Sequence, residues 1–241
     1  MHKTTMLYMP DIESNYIREF EAKVLRAGED FVVLDESAFY PLGGGQPSDT
    51  GRVQWGQKVS VVKEVKKKGE VVHRLDGDVP SEDEIVKGTL DWGRRYGHMC
   101  MHTAQHLVSA VVFDMYGSHT VGNQIHGDRS RIDFHPSEIT QEDLPRIEAE
   151  CNERIEKALP VTIYEQDRDE LEKRKDMLRI TLDLVPRSVR RLRIIEIQGY
   201  DVCPCAGTHI KNLSELGKVS ILKRENKGKG RVRVSYSLDR P

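Results

Sequence analysis

The chain has 241 residues and a formal net charge of −2, from 37 basic and 39 acidic side chains. That length allows a substantial core in one large or two modest domains. The near balance of charge excludes a molecule whose whole surface attracts nucleic acid. No apolar run reaches the length needed to span a bilayer, and the first residues carry no apolar stretch of a secretory signal. Cys100, Cys151, Cys203 and Cys205 are too few and too irregularly spaced for a disulfide scaffold. A reducing, cytoplasmic setting is expected, with no membrane partner.

Up to about residue 90 the pattern is that of strands. Phe20, Ala22 and Val24 alternate with Glu21 and Lys23, and 27–30 turns the chain into Phe31-Val32-Val33-Leu34. Val59, Val61, Val62 and Val65, then Val71-Val72, flank a lysine-rich turn expected at Lys66-Lys67-Lys68-Gly69. Short strands between turn residues predict a small β-barrel or sandwich. Among them lies Phe39-Tyr40-Pro41-Leu42-Gly43-Gly44-Gly45-Gln46-Pro47, an irregular segment whose glycines permit positive φ and close approach of backbone to a partner.

From Asp91 the periodicity changes. His102 to Met115 predicts a helix with Ala104, Leu107, Val108, Val111 and Met115 apolar. Ile132-Asp133-Phe134 reads as a strand. Thr140, with Asp143 in the capping-box neighbourhood, is expected to cap a helix whose stripe is Leu144, Ile147, Cys151 and Ile155. A strand at Val161–Tyr164, a charged helix over Asp169–Leu178, and strands at 192–197, 219–222 and 231–236 complete the series. Helices grouped against a mostly antiparallel sheet predict an α+β, two-layer domain over 91–241, after a β-rich domain over 1–90.

Two short motifs carry the chemistry. Helical residues four apart share a face, so His102 and His106 aim their imidazoles at one point. About a hundred residues later, Cys205-Ala206-Gly207-Thr208-His209 offers a thiolate and an imidazole across a turn centred on Gly207. Together they make a His₃Cys set suited to zinc, held between distant segments and unlike a compact zinc finger. The metalloprotease reading is poor, because Thr103 stands where that motif needs its glutamate. Cys203-Pro204-Cys205 lacks redox spacing, and Cys203 is read as a neighbouring thiol or a spare ligand. Cys100 and Cys151 sit in apolar patterns and are assigned to the core. Four protein ligands describe a closed structural site, whereas catalytic zinc keeps one position for water; the sequence leaves that choice open.

The combination of Phe39-Tyr40, Gly43-Gly44-Gly45-Gln46-Pro47, Asp49-Thr50-Gly51, Asp91-Trp92 with Arg94-Arg95, His102-Thr103-Ala104-Gln105-His106-Leu107, Arg131-Ile132-Asp133-Phe134 and Cys205-Ala206-Gly207-Thr208-His209 resembles the free-standing alanyl-tRNA editing proteins, AlaX. Those resemble in turn the editing domain of alanyl-tRNA synthetase and, more distantly, that of threonyl-tRNA synthetase. The likeness runs nearly the whole length, and the amino-terminal glycine-rich domain matches the medium-sized class. Two positions depart from the family pattern: Ala206 follows the cysteine where glycine is usual, and Met99-Cys100-Met101 stands where an arginine is frequent.

The resemblance implies a small β-barrel-like glycine-rich domain followed by a two-layer α/β zinc-binding editing domain of the threonyl/alanyl type. It implies a trans-acting deacylase whose partner is alanine tRNA mischarged mainly with serine, with glycine as a further substrate to be tested. His102, His106, Cys205 and His209 carry over as Zn2+ ligands. Gly43, Gly44, Gly45, Gln46 and Thr208 are the residues expected near the substrate, and no catalytic side chain is assigned. Thr103, Gln105 and Thr208 flank the ligands, to orient water or substrate or simply to stabilise helix and turn. Serine and alanine esters differ by one hydroxyl, which an apolar pocket rejects poorly and a site requiring that hydroxyl discriminates well.

Two basic runs, one with Arg187, Arg190, Arg191 and Arg193, the other with Lys223, Arg224, Lys227, Lys229, Arg231 and Arg233, read on charge alone as solvated faces. With the resemblance, Arg190, Arg191, Lys223, Arg224, Lys227 and Lys229 become the expected partners of tRNA phosphates. Two rival functions remain: an RNA-binding module with a structural zinc and no hydrolytic activity, and a zinc hydrolase acting on a small ester or amide.

Overall fold

Alternation of apolar and polar residues builds the first half of the chain. In β2 (Glu19–Ala27) Phe20, Ala22 and Val24 point inward while Glu19, Glu21 and Lys23 face solvent. With β3 (Phe31–Leu34), β5 (Gly51–Trp55), β6 (Lys58–Lys68), β7 (Glu70–Asp76) and β8 (Ile85–Leu90) it closes a barrel in the order β2-β3-β7-β6-β5-β8. Of the two architectures the sequence allowed, the barrel forms, and closure leaves no free sheet edge. A short parallel pair, β1 (Thr5–Met6) with β4 (Glu36–Ser37), lies outside it. The computed structural model describes residues 3–173, 178–180 and 186–239.

One expectation in this half is corrected. Lys66, Lys67 and Lys68 are not a turn; they continue β6, paired with Val72, Val71 and Glu70 of β7. Gly69 alone makes the reversal, at φ 77°. Lysine stems are tolerated at exposed strand positions, so a run of lysines need not interrupt the ladder.

The glycine motif is a tight hairpin. Gly43 and Gln46 exchange backbone hydrogen bonds of 3.2 and 2.9 Å, and Gly44 and Gly45 between them take φ of 55° and 82°. Positive φ at both central residues of a two-residue reversal is where glycine is favoured. The Tyr40 hydroxyl donates to the Gly43 carbonyl at 2.9 Å.

Asp49 and Arg95, widely separated in sequence, form a fully buried ion pair. Arg95 Nε donates to Asp49 Oδ2 at 2.9 Å and Nη1 to the Asn15 carbonyl at 3.0 Å. The same carboxylate oxygen accepts from the Tyr40 backbone N–H at 2.7 Å. Motif residues on either side of the barrel strands are thus tied to one another by structure.

Helix α1 (Trp92–Tyr116) starts ten residues earlier than the periodicity predicts. Asp91 caps it, its carboxylate accepting from the Arg94 N–H at 3.2 Å. Gly93, Gly97 and the arginines mask the apolar rhythm there. The chain divides into two compact units, Met1–His98 and Met99–Pro241. The division falls inside α1 and not at residue 90, because Arg95 in the opening turns of the helix is held within the first unit.

In the second unit β9 (His119–Gln124), β10 (Ser130–His135), β14 (Lys218–Asn226) and β15 (Val232–Asp239) form an antiparallel sheet in the order β14-β15-β10-β9. A second antiparallel sheet contains β11 (Val161–Asp167), β12 (Arg191–Ile197) and β13 (Asp201–Pro204). Helix α2 (Leu144–Glu156) buries Leu144, Ile147, Cys151 and Ile155, the stripe read from sequence. Its Asn152 exchanges 2.9 Å hydrogen bonds with the Val219 backbone of β14. The cap differs from expectation: Thr140 does not cap α2. Asp143 instead accepts from the Thr140 N–H and hydroxyl at 2.7 and 2.9 Å, folding the turn that precedes the helix.

The charged helix expected over 169–178 is α3 (Arg168–Glu172). Residues 174–177 of that expectation lie outside the described residues, and Leu178 is buried and not helical. Cys100 and Cys151 are core residues as expected. Among the described residues no helix is long and apolar enough to cross a membrane.

Candidate metal centre

The middle of α1 is almost wholly buried, and its helical repeat puts His102 and His106 one turn apart with ring centroids 5.3 Å apart. The hairpin of β12 and β13 delivers the other half. Ile194 pairs with Pro204 at its end, and beyond that pair Cys205 N–H donates to the Arg193 carbonyl at 3.1 Å while Arg193 Nη1 donates to the Cys205 carbonyl at 2.7 Å. The chain then turns, the Gly207 N–H donating to Cys205 Sγ at 3.3 Å. His209 returns to lie 4.4 Å from the His102 ring and 4.6 Å from that of His106.

The four expected ligands therefore meet. One nitrogen or sulfur from each of His102, His106, Cys205 and His209 lies within 4.8 Å of all the others. Cys205 Sγ is 3.6 Å from His102 Nε2 and 3.5 Å from His209 Nε2. The three imidazoles are buried and Cys205 is half-buried.

Two of the Nδ1 atoms have a protein neighbour behind them. His209 Nδ1 lies 3.1 Å from Thr103 Oγ1, which also accepts from the Ile210 N–H at 3.2 Å. His106 Nδ1 is buried and makes no hydrogen bond, with Asp201 Oδ2 3.3 Å away. The Nε2 atoms of His102 and His209 face the Cys205 thiol. Burial holds the His106 and His209 imidazoles well below the ordinary histidine range, Arg179 chief among the cations that add to the effect at His106 and His102 chief among the neighbours at His209. Burial likewise raises the Cys205 thiol, against the Gly207 N–H and Arg193. Three buried imidazoles, those of His106 and His209 held neutral by burial, and a thiol facing one point offer a cation four donor atoms. The donor set could hold a metal ion, and its nitrogen and sulfur atoms suit zinc.

Asp201 and Arg179 are the residues that motif reading did not single out. Asp201 opens β13, and the period-two alternation of that strand puts it on the same side as buried Cys203. Arg179 Nε and Nη2 clamp its carboxylate at 2.8 and 3.1 Å, both side chains being buried. The parity of Asp201, Cys203 and Cys205 is a sequence signal for the aspartate. Nothing local marks the arginine. Cys203 stays outside the ligand cluster, with its thiol raised by burial.

Other expected site residues fall in different surroundings. Thr208 and Gln46 are fully buried, and Gly43–Gln46 form the hairpin of the first unit. Gln105 is buried too, its amide donating to the Ser109 hydroxyl at 2.8 Å. Arg190 and Arg191 are exposed and paired with Asp169 and Glu165 at 3.5 and 2.8 Å. Lys223 faces Glu225 at 3.4 Å, and Arg224 Nε donates to the Ile139 carbonyl at 2.8 Å. Lys227 and Lys229 are exposed on the β14–β15 turn. Arg233 is bound by Asp133 through two hydrogen bonds of 2.6 and 2.9 Å.

The family described as the Threonyl and Alanyl tRNA synthetase second additional domain matches residues 192–235, a span that includes Cys205 and His209. The family described as tRNA synthetases class II (A) matches residues 6–94. Similar over the whole length is Alanyl-tRNA editing protein AlaX-M of Methanosarcina barkeri, 37% identical over 243 residues, which cover 98% of this chain and 99% of that protein. The AlaX-M of Saccharolobus solfataricus is 37% identical over 98% of this chain and 99% of its own. The AlaX-L of Pyrococcus horikoshii is 36% identical over 92% of this chain, which spans 55% of that longer protein.

Proposed function

The chain belongs to the alanyl-tRNA editing proteins of the AlaX type, and from that premise we propose that it hydrolyses the ester of mischarged alanine tRNA, chiefly the seryl ester. The observation that carries the proposal is the convergence of His102, His106, Cys205 and His209 within 4.8 Å of one another. We take the ion to be zinc. When bound, it supplies Lewis-acid polarisation of the substrate or a water whose pKa is lowered toward about 7.

The chain's own residues do the remaining work. His102, His106 and His209 would be the buried ligands, with Thr103 behind His209 and Asp201 behind His106. Cys205 is the half-buried member of the set, and we assign the approach of the aminoacyl end to its side. Thr103 is engaged by His209 and the Ile210 N–H, so its part is to hold a ligand and not to take a proton. Selection of serine needs a polar partner for its hydroxyl, which an alanyl ester leaves unmatched. Gly43, Gly44, Gly45 and Gln46 are assigned to the acceptor end and Thr208 to the loop beside the ligands. Arg190, Arg191, Lys223, Arg224, Lys227 and Lys229 are assigned to tRNA phosphates. None of the four cysteines forms a disulfide, in keeping with action in the cytoplasm.

A second reading is favoured by a specific feature: four protein ligands, three of them buried, are what a structural zinc uses. In that case the protein binds RNA and hydrolyses nothing. Incubation with seryl-tRNA(Ala) and alanyl-tRNA(Ala), with and without chelator, separates the two. We expect loss of the seryl ester only, abolished by chelation and restored by zinc, and a Cys205→Ala variant that folds yet hydrolyses about 10³-fold more slowly or worse. A Cys205→Ala variant that unfolds, with no hydrolysis by the intact protein, establishes the structural zinc. Free seryl esters cleaved as fast as tRNA-linked ones establish a small-ester hydrolase.

A further inference from the structure

We propose that Asp201, clamped by Arg179, is a positioning residue for the metal centre, fixing the ring of His106 so that its Nε2 faces the other three ligands. The inference rests on the metal reading above and adds to it two residues outside the ligand set. Asp201 Oδ2 lies 3.3 Å from His106 Nδ1, close enough to orient the ring and to tighten into a hydrogen bond when the opposite nitrogen is pulled toward a cation. The carboxylate is not free to swing away. Arg179 grips both of its oxygens, at 2.8 and 3.1 Å, and Arg179 is itself fixed from its backbone, whose carbonyl accepts from the Thr120 N–H of β9 at 3.0 Å. Its neighbour Leu178 is packed with Leu171, Leu192 and Ile194.

The placement is also economical in sequence terms. Asp201 and Cys205 lie at the two ends of one extended run, so the strand that delivers the thiol to the front of the centre delivers the carboxylate to the back of His106. A buried arginine beside a dication is unfavourable unless a carboxylate stands between them, and Asp201 occupies that position. With Arg179 satisfying one side of the carboxylate, the other side faces the imidazole. Carboxylate–histidine–metal arrays of this kind raise ligand basicity, and losing the outer partner weakens metal binding by about 10–100-fold.

The test is chelator competition for zinc, with the cobalt(II) absorption spectrum as a second readout, on the full-length protein. Asp201→Asn keeps the size of the side chain and loses its charge. We expect zinc affinity about 10–100-fold lower than wild type, with altered cobalt ligand-field bands, in a metal-free protein whose far-ultraviolet circular dichroism is unchanged. Should Asp201→Asn fail to fold, Arg179→Lys keeps both charges and loosens the clamp, and a smaller loss with the same spectral change is expected. Wild-type affinity and an unaltered cobalt spectrum in the folded variant overturn the proposal. A wild-type protein that binds neither zinc nor cobalt overturns the metal reading and this inference with it, an outcome plainly different from the first.

Discussion

Each half of the molecule contains a buried aspartate–arginine pair and buried histidine, put to different ends. In the first unit Asp49 and Arg95 bind each other and backbone groups, and His73 accepts or donates a 2.8 Å hydrogen bond with Ser37 inside the barrel. Neither belongs to a cluster of metal-binding side chains among the described residues. In the second unit Asp201 and Arg179 bind each other, and the carboxylate's remaining face meets His106, one of three imidazoles gathered around a thiol. Residue type and burial do not distinguish structural from functional polar groups; what their remaining lone pairs face does.

The largest effect that would break this contrast is expected at Asp49. Removing one member of a buried ion pair leaves an uncompensated charge and costs about 3–5 kcal/mol. Against a total stability of about 5–15 kcal/mol, Asp49→Ala should lower the urea midpoint sharply. Its metal affinity, measured where the protein is folded, should remain that of wild type. A variant as stable as wild type that has lost deacylation would move the pair from the fold to the active machinery.

A smaller effect should follow from pH. Burial lowers the pKa of His73 from 6.5 to about 4, with the Val32 carbonyl opposing. Between those values the unfolded chain binds a proton that the folded barrel refuses. The stability contributed by neutral His73 is therefore complete above pH 6.5 and lost as the pH falls toward 4. A shift of that size corresponds to about 3 kcal/mol. His106 and His209 add an acid response of the same sign in the metal-free protein, so the diagnostic quantity is a difference. His73→Gln, which can still bond Ser37, should flatten the stability profile between pH 6.5 and 4 relative to wild type. Identical slopes would show that the barrel histidine is not the acid-sensitive element.

Much of this division was legible in the sequence. The strand alternation of Phe20, Ala22 and Val24 and the helical stripe of α2 follow directly from periodicity, which local sequence encodes. The cluster of His102, His106, Cys205 and His209 was legible because two i, i+4 spacings of metal-binding residue types are chemically specific. The early start of α1 was hidden by Gly93, Gly97 and two arginines, whose reason is tertiary: Arg95 faces Asp49 inside the first unit. Arg179 was illegible for the same reason, since its role exists only once residues 178–180 are brought against β13. The lysine run of β6 misled because lysine marks exposure, and an exposed strand face exposes residues as a turn does.

The smallest expected effect concerns the turn between β14 and β15, and it tests whether exposed charge belongs to fold or to RNA. Lys229 stands at φ 51°, flanked by Gly228 and Gly230 at 78° and 69°. A lysine in the left-handed region costs about 1–2 kcal/mol, and glycine there relieves the strain while adding about 0.4–1 kcal/mol of unfolded-chain entropy. The relief equals or exceeds the entropy cost, so Lys229→Gly removes a charge without lowering the urea midpoint. Lys227 is exposed on the same turn, so Lys227→Ala paired with Lys229→Gly asks one question of two cations. If they meet tRNA phosphates, affinity should fall and the slope of log K against log salt should shrink by about 1 for each phosphate no longer neutralised. Arg190 and Arg191, each already opposite a carboxylate, should change that slope less when neutralised, because binding there must first break an existing pair. An unchanged slope in the Lys227/Lys229 double variant would return this turn to the class of solvated surface that its charge alone suggests.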